Sequence, residues 1–331
     1  MDRSIDRRIV LGIAAGIVAG AGLLADHVSA ATDLKWAHVY EEGSAYHQCA
    51  LWAADEIKAK TDGRVNISVF PASSLGNEAD INEGLTIGSV DIIYTGPNFA
   101  ERDYGPIAIS DYPFMLKDYA HWQAYRDSDL FKELSEGYKE ATGHTVMAIT
   151  WYGYRHVTSK FPITKPDDMK GLKIRVPDSP VMVMFPNAVG ANPTPIAFAE
   201  VYLALQQGVV DAQENPLPTI KFKKFYEVQS NINLTGHIGN SLIIIVSDSA
   251  MGKIGDDAGV VEEVMKAAAA RCADEINQAE TDLKQWFRDQ GIEVNEVDKD
   301  AFQKAVLPIL TDESRVPYTR DQFDRLQALA N

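Results

Sequence analysis

The stretch from Asp33 to Phe70 reads DLKWAHVYEEGSAYHQCALWAADEIKAKTDGRVNISVF. DLKWAHVY predicts a first strand, AYHQCALWAADEIKAKT predicts an amphipathic helix that stops near Gly63, and RVNISVF alternates with the period of a second strand. The turn and helix pattern PASSLGNEADINEGLTIGSV then leads into a third strand, DIIYTG. This β-α-β-α-β order predicts an α/β fold in which helices cover both faces of a parallel sheet.

A long helix is predicted in the last third of the chain. HTVMAITWY, LKIRV and SLIIIVS supply further strands before it, and between Val261 and Phe287 the apolar residues keep helical spacing. Neither Pro nor Gly occurs from Val260 to Gln290. One helix over this stretch would be about 40 Å long, which exceeds the diameter of a lobe of about 130 residues. We therefore expect it to span two lobes, with two shorter helices joined by a kink as the alternative.

The amino terminus has the features of an export signal. Three arginines lie within the first eight residues, an apolar run follows from Ile9 to Leu24, and the small-residue sequence VSA ends at Ala30. We expect a signal peptide over residues 1–30, cleaved after Ala30, with Sec and twin-arginine export both open. The mature chain is then a soluble protein of the periplasm.

The predicted domain organisation follows from these elements. Lobe I comprises residues 31–153 with about 240–258, lobe II comprises residues 154–239 with about 290–331, and the long helix covers residues 259–289.

The charge of the chain restricts its partners. A formal net charge of −16 disfavours contact with nucleic acid phosphates and repels anionic ligands at long range. Any bound anion must therefore be captured by local, buried cations. The two cysteines, Cys49 and Cys272, either pair in an oxidising compartment or stay as small buried residues.

An arginine stands inside the apolar run LKIRV, directly before a proline. Arg175 thus falls at the carboxyl end of a predicted strand, where ligands lie in open α/β sheets, and its guanidinium can grip a carboxylate with two parallel hydrogen bonds. Asp178 or Ser179, followed by Pro180, predicts a helix N-cap at the same edge. Arg155 follows the strand pattern MAITWYGY at a comparable place. A surface ion pair is the alternative for each arginine.

Three segments carry a family resemblance. RHVTSKFPITKPDDMKGLKIRVPDSP, GANPTPIAFAEVYLALQQGVVDAQENP and KFYEVQ resemble the central block of the DctP-type substrate-binding proteins of tripartite ATP-independent periplasmic (TRAP) transporters. Weaker likeness covers essentially the whole mature chain. The resemblance implies a two-lobe periplasmic binding protein, type II-like, that closes around a small carboxylate and delivers it to the membrane permease subunits.

The resemblance also implies a set of ligand-binding residues. Arg175 is the principal carboxylate partner and Arg155 assists it. Asn215 would bind the same end of the ligand, Phe198 would wall the pocket, and Glu78 matches a position that touches ligand hydroxyls in some relatives.

Ligand identity rests on the polar residues around that set. The sialic-acid members carry a glutamate where this chain has Gly96, which puts sialic acid in doubt and makes Asn98 a substitute candidate. Asn98, His38 and Glu214, together with Glu78, favour a polyhydroxylated acid, and a uronate or aldonate is the preferred ligand. Aromatic residues near strand ends, Tyr152 among them, serve either sugar contact or packing. The alternatives are a C4-dicarboxylate or a 2-oxo acid, and a ligand sensor that docks on a receptor.

An enzyme is the rival class. The chain has no G-x-S-x-G sequence, and its histidines show no H-x-x-x-H spacing, so neither a hydrolase nor a metal site is predicted. A glycosidase pair of carboxylates is not excluded among 47 acidic residues. We expect a monomeric binding protein without cofactor or metal.

Overall fold

The computed structural model describes residues 31–312 and 314–330. The predicted signal peptide and its cleavage site lie outside the described residues. None of the helices in the described ranges combines the length and the apolar character that crossing a bilayer requires.

Strands and helices alternate along the chain. Short 3-10 helices occur between them, at Gly105–Asp111, Val181–Val183 and Phe198–Glu200 among others. The strands are β1 (Thr32–Ala37), β2 (Val65–Phe70), β3 (Ile92–Thr95), β4 (Thr145–Ser159), β5 (Lys173–Val176), β6 (Asn192–Pro195), β7 (Ala212–Pro216), β8 (Asn231–Val246) and β9 (Glu293–Asn295). The α-helices are α1 (Ala45–Lys60), α2 (Glu78–Ile87), α3 (Pro97–Ala100), α4 (Tyr119–Arg126), α5 (Asp129–Thr142), α6 (Met184–Ala188), α7 (Val201–Gln206), α8 (Leu217–Phe222), α9 (Asp248–Ile254), α10 (Ala258–Asp289), α11 (Lys299–Leu310) and α12 (Arg320–Ala328).

All nine strands of the described ranges belong to one sheet, in the order β2-β1-β3-β8-β4-β7-β5-β6, with β9 paired to β8. The parallel pairing predicted for the first three strands is confirmed: β1 lies parallel to β2 and to β3. A second parallel group, β7-β5-β6, stands at the other end. The antiparallel strands β4 and β8 join the two groups, which gives the two-lobe α/β architecture expected from the sequence.

The joining strands are longer than their apolar patterns predicted. β4 continues past Tyr152 to Ser159, and β8 begins ten residues before Ser241, at Asn231. Their added parts are polar and yet buried, because side chains there satisfy each other: the Asn233 amide donates to the Val157 carbonyl (3.1 Å) and to Ser159 Oγ (2.9 Å). The spacing of apolar residues therefore does not predict buried strand segments that are polar.

Two local predictions about the arginine segments are wrong. Arg155 does not follow a strand end, because the ladder shifts register between Trp151 and Gly153 and then continues through Arg155. Ser179 does not cap a helix; its hydroxyl donates to Glu101 Oε1 (3.0 Å). A 3-10 turn leads from there into α6 without a side-chain cap. Arg175 does lie at the carboxyl end of its strand, one residue before the end of β5.

The long helix is a single element of 32 residues, α10, so the two-helix alternative is wrong. It packs on α1 and β4, and also on α8 and β9, and thus contacts both ends of the molecule. Cys272 on α10 and Cys49 on α1 are both buried and unbonded in this interface.

The carboxyl-terminal helix returns to the first part of the chain. The Leu326 carbonyl lies 2.8 Å from His121 Nε2, and Gln327 Nε2 donates to the Met115 carbonyl (3.0 Å). Helix α12 thus packs against residues predicted for lobe I, although it falls in the range predicted for lobe II. The lobe boundaries themselves stay a prediction.

Candidate ligand-binding site

A small cavity lies where the two parallel groups of strands face each other across β4 and β8. Six of the eight predicted ligand-binding residues line it, and His38 and Glu214 do not. Its lining residues are Tyr40, Glu78, Gly96, Asn98, Phe99, Tyr152, Arg155, Arg175, Pro177, Phe198, Asn215, Asn240 and Leu242.

Arg175 is a buried cation that has no anionic partner in the described part of the chain. Its side chain is 1% exposed, and Nε and Nη2 both donate to the Ile196 carbonyl, at 2.8 and 2.6 Å. Among the described residues no carboxylate lies within 4.0 Å of it. Burial lowers the pKa of Arg175 to about 10, against the opposing effects of Glu78 and Glu214. A ligand carboxylate here would supply the missing counter-charge.

Arg155 is equally buried but already neutralised. Its guanidinium forms an ion pair with Glu214 through Nε and Nη2, the latter at 2.7 Å from Oε1. Nη1 donates to Asn240 Oδ1 (2.8 Å), and Nη2 lies 3.3 Å from Asn215 Oδ1. Although burial opposes the shift, Arg155 and His237 together lower the pKa of Glu214 to about 2. Arg155 therefore presents one edge of its guanidinium to the cavity, and Glu214 already neutralises its positive charge.

Glu214 takes a supporting place behind the cavity. One carboxylate oxygen, Oε2, accepts from Arg155 and lies 3.2 Å from His237 Nε2, while His237 Nδ1 is 2.9 Å from Thr235 Oγ1. Phe185 stacks on the histidine ring at 3.9 Å. This network uses both Glu214 oxygens inside the protein, which disagrees with the prediction of a direct ligand contact.

His38 also lies behind the cavity wall. Its Nδ1 accepts from the Tyr40 amide (3.2 Å), and its Nε2 is 3.1 Å from His47 Nδ1. Burial and the neighbouring His47 lower the pKa of His38 to about 3, so that the ring is neutral. His38 orients the Tyr40 segment, which does line the cavity.

Glu78 and Asn98 come from the first residues of short helices. Asn77 caps α2 with a capping box, which places the Glu78 carboxyl on the cavity wall facing Arg175. Burial raises the pKa of Glu78, and the charge of Arg175 opposes that rise. Asn98 is the second residue of α3, and its backbone amide donates to Asp111 Oδ2 (3.1 Å).

Asn215 and Phe198 complete the predicted set. The Asn215 amide group donates to Gln213 Oε1 (2.6 Å), so its oxygen is turned toward Arg155 and the Tyr152 hydroxyl (3.4 Å). Phe198 meets Tyr40 edge-on at 6.1 Å and forms an apolar wall.

Three further residues of this wall, Tyr40, Tyr152 and Asn240, lie outside the predicted ligand-binding set. Tyr40 and Tyr152 pack against each other at 5.5 Å, and the Tyr152 hydroxyl accepts from Thr219. The sequence pointed to Tyr152, because this residue stands near the end of a predicted strand. No local sequence feature pointed to Asn240, because only the pairing of β4 with β8 brings it beside Arg155.

Comparison with known proteins identifies the family. The family model of bacterial extracellular solute-binding proteins, family 7 (DctP), matches residues 36–315. The chain belongs to the DctP family.

The relatives of this DctP protein are TRAP solute-binding proteins. The sialic acid-binding periplasmic protein SiaP of Vibrio cholerae is 33% identical over 291 residues, covering 85% of this chain and 88% of SiaP. A TRAP solute-binding protein of Actinobacillus succinogenes, solved with L-galactonate, is 25% identical with a TM-score of 0.85, over 90% of this chain and 99% of that chain. One from Sulfurospirillum deleyianum, solved with succinate, is 28% identical with a TM-score of 0.84, over 90% and 98%.

Membership determines the general role. DctP proteins are periplasmic carriers that bind small organic acids and work with a TRAP membrane permease. This chain is accordingly a solute-binding transport protein and not an enzyme.

Proposed function

We propose that this DctP protein captures a hydroxylated organic acid, a uronate or an aldonate, by its carboxylate on Arg175 and hands it to its TRAP permease. The observation that carries the proposal is the buried Arg175 guanidinium, which no carboxylate of residues 31–312 and 314–330 pairs with. An unpaired buried cation is costly, and a carboxylate that also fills its free N–H groups removes that cost. Binding would therefore require a carboxylate.

The remaining ligand-binding assignments follow from position. Asn215 and Arg155 flank Arg175 on the cavity wall. Phe198 would cover the ligand. Glu78 and Asn98 would face the end of the ligand that is remote from its carboxylate. A signal peptide cleaved after Ala30 would deliver the mature chain to the periplasm, where a monomer suffices because the cavity is built from one chain.

The ligands of the relatives differ, so they leave the acid open. SiaP is named for sialic acid, and the two solved relatives hold L-galactonate and succinate. A sugar acid is favoured because the wall beyond Arg175 carries neutral amides, phenols and one acid and no second unpaired cation among the described residues.

A thermal-shift screen tests the proposal. The protein is unfolded and refolded to remove carried-over ligand, then heated with galactonate, galacturonate, succinate, pyruvate or sialic acid. A ligand at about 100 times its Kd stabilises the folded state by about 2.7 kcal/mol, so a true ligand must raise Tm. We expect the largest rise with a sugar acid and none with its methyl ester.

The matched variants are Arg175→Ala and Arg288→Ala, because Arg288 is an exposed arginine on α10. Arg175→Ala should lose the ligand-induced rise without a lower Tm of the free protein, since it removes an unpaired buried charge. Arg288→Ala should behave as wild type. Wild-type shifts in Arg175→Ala, or no shift with any acid, would contradict the proposal.

A further inference from the structure

The two cysteines of the chain meet inside the molecule, although they stand far apart in the sequence. Cys49 lies on α1 and Cys272 lies near the middle of α10, and the sequence contains no third cysteine. The two residues are 1% and 0% exposed. Because α1 packs on α10, the fold brings both thiols into one buried interface.

The two thiols face each other in this interface. Hydrogen bonding to the Cys49 thiol, together with burial, raises the pKa of the Cys272 thiol well above its ordinary value. Burial also raises the pKa of the Tyr94 hydroxyl, and the two thiols add to that rise, so Tyr94 lies beside the pair. Thr150, whose hydroxyl donates to the Ala269 carbonyl (2.7 Å), borders Cys272 from β4. The interface thus holds a buried, neutral dithiol.

Small side chains surround both cysteines on their helices. Ala53 lies one turn from Cys49, Ala268 and Ala269 lie one turn from Cys272, and all three alanines are buried. Packed helices have axes about 8–10 Å apart, and Cα atoms lie about 2.3 Å from each axis, so facing Cα atoms are roughly 5 Å apart. A disulfide requires a Cα separation of about 4.4–6.8 Å. Facing positions of α1 and α10 therefore suit a disulfide.

Two other roles of a thiol pair do not fit this interface. Within the described ranges, no group of three His, Cys, Asp or Glu side chains is placed to hold a metal ion, whereas a structural zinc site needs four ligands. A cysteine that exchanges disulfides with other proteins is partly exposed and has a lowered pKa, and Cys272 is buried with a raised pKa. A permanent cross-link is the chemistry that suits two buried, facing thiols.

We propose that Cys49 and Cys272 form a disulfide when the chain folds in the periplasm, and that this bond holds α1 against the middle of the long helix. DctP proteins are periplasmic, and the periplasm is a compartment in which disulfides form and persist. The cross-link is independent of the proposed ligand, since neither cysteine lines the cavity.

The oxidant is itself a disulfide, that of a periplasmic dithiol oxidase or of oxidised glutathione. One protein thiolate attacks it, which forms a mixed disulfide and releases one thiol of the oxidant. The second protein thiolate attacks the mixed disulfide, which closes the Cys49–Cys272 bond and releases the second thiol of the oxidant. Two protein thiols are thus oxidised, their protons pass to the two released thiols, and one disulfide of the oxidant is reduced. Because the folded interface is buried, the exchange precedes the docking of α1 on α10.

Counting thiols in the wild-type protein tests the bond. The protein is produced twice, once exported to the periplasm of a bacterial host and once retained in a reducing cytoplasm. Each sample is unfolded in guanidinium with excess iodoacetamide and weighed by mass spectrometry. We expect no alkylated cysteine in the exported protein, two after its reduction with dithiothreitol, and two in the cytoplasmic protein.

Peptide mapping without reductant identifies the partners. The exported protein should yield one linked pair of peptides, which carries Cys49 and Cys272. An alkylated cysteine in the unreduced exported protein, or a disulfide between two chains, would overturn the proposal. This arm uses wild-type protein alone, so it decides the question even if a cysteine variant does not fold.

Thermal unfolding measures what the cross-link does. A bond that closes a loop this long restricts the unfolded chain, so protein reduced while unfolded and refolded in dithiothreitol should melt at least about 5 °C below the oxidised form. The double variant Cys49→Ala/Cys272→Ala is the matched control and should melt at one temperature with and without dithiothreitol. Equal Tm values of oxidised and reduced wild type, or an equal effect of dithiothreitol on the double variant, would contradict the stabilising role of the bond.

Discussion

Two buried arginines of similar sequence context have different electrostatic roles. Arg155 is balanced by Glu214 and bound by two amide oxygens, whereas Arg175 donates only to one backbone carbonyl. Burial lowers the pKa of Arg175, while the paired Glu214 raises the pKa of Arg155 against the effect of burial. The cation that lacks a partner is the one suited to bind an external anion.

Replacing Arg175 by lysine tests whether geometry matters beyond charge. Lysine keeps the positive charge but lacks the planar fork, so it cannot offer two parallel N–H groups to a carboxylate as the guanidinium does beside the Ile196 carbonyl. We expect the Kd for the acid identified by the screen to rise at least about tenfold, or about 1.4 kcal/mol, by calorimetry. An unchanged Kd in Arg175→Lys would show that charge alone suffices.

Glu280 is expected to make stability depend on pH. This carboxyl on α10 accepts from Trp151 Nε1 (2.8 Å) and from the Tyr154 amide, and burial raises its pKa from 4.5 to about 7. The folded state therefore holds the proton more tightly than the unfolded state. The stability that protonated Glu280 contributes is fully present below about pH 4.5. It is lost as the pH rises through 7, which lowers the free energy of unfolding by up to about 3 kcal/mol.

Glu280→Gln isolates that contribution. Urea unfolding between pH 4.5 and 8 should give a flatter profile than wild type, even though glutamine satisfies only one of the two N–H donors and lowers stability at acidic pH. Asp111, whose pKa burial raises to about 7, keeps some pH dependence in both proteins. Parallel wild-type and variant profiles would contradict the assignment.

At the scale of elements, the decisive feature is the break in β4 at Gly153. The residue has φ +114°, and the register of the β4–β8 ladder shifts there. A Cβ on Gly153 would stand 2.8 Å from the Pro216 Cβ and 3.0 Å from Glu280 Oε1. The strand can therefore pass between β7 and the long helix only with glycine at this point.

Gly153→Ala should lower the free energy of unfolding by about 3 kcal/mol, because strain and overpacking act together. Gly252→Ala is the control: Gly252 lies inside α9 with no atom within 4 Å of an added Cβ, and alanine there should be neutral or stabilising by up to about 1 kcal/mol. Urea denaturation measures both. Equal effects of the two substitutions would contradict this account of β4.

At the scale of the whole molecule, polar contacts join the two sides of the cavity. Arg102 Nη2 donates to the Asp178 carbonyl (2.8 Å) and lies 3.2 Å from its carboxylate. Lys223 forms an ion pair with Glu41 (2.8 Å). These residues come from both predicted lobes, so the contacts link the two sides of the cavity.

The Arg102–Asp178 contact should affect ligand release modestly. Both side chains are largely exposed, at 45% and 70%, and ion pairs of this kind contribute about 0–1 kcal/mol. We expect Arg102→Ala to raise the dissociation rate up to about fivefold with little change in the association rate, in stopped-flow measurements. A loss of affinity beyond about a hundredfold would mean that Arg102 contacts the ligand itself.

The candidate site was predictable where residues report their own environment. Arg175 could be identified from the sequence because a charged residue inside an apolar strand, close to the end of that strand, indicates a specific partner for the charge. Glu214 was misplaced because nothing in the local sequence says that its carboxylate is used by Arg155 and His237. Asn240 and Asp111 were missed for the same reason, since their neighbours come from other strands and turns.

Local patterns in the chain were enough for the α/β class, the parallel start of the sheet, the long helix and the central arginine, because each depends on the periodicity of neighbouring residues or on a single buried charge. The pairing of the polar halves of β4 and β8, the neutralisation of Arg155 and the position of Asn240 beside it emerged only in the folded molecule. Those features depend on which buried polar group satisfies which, and that is decided by residues far apart in the sequence.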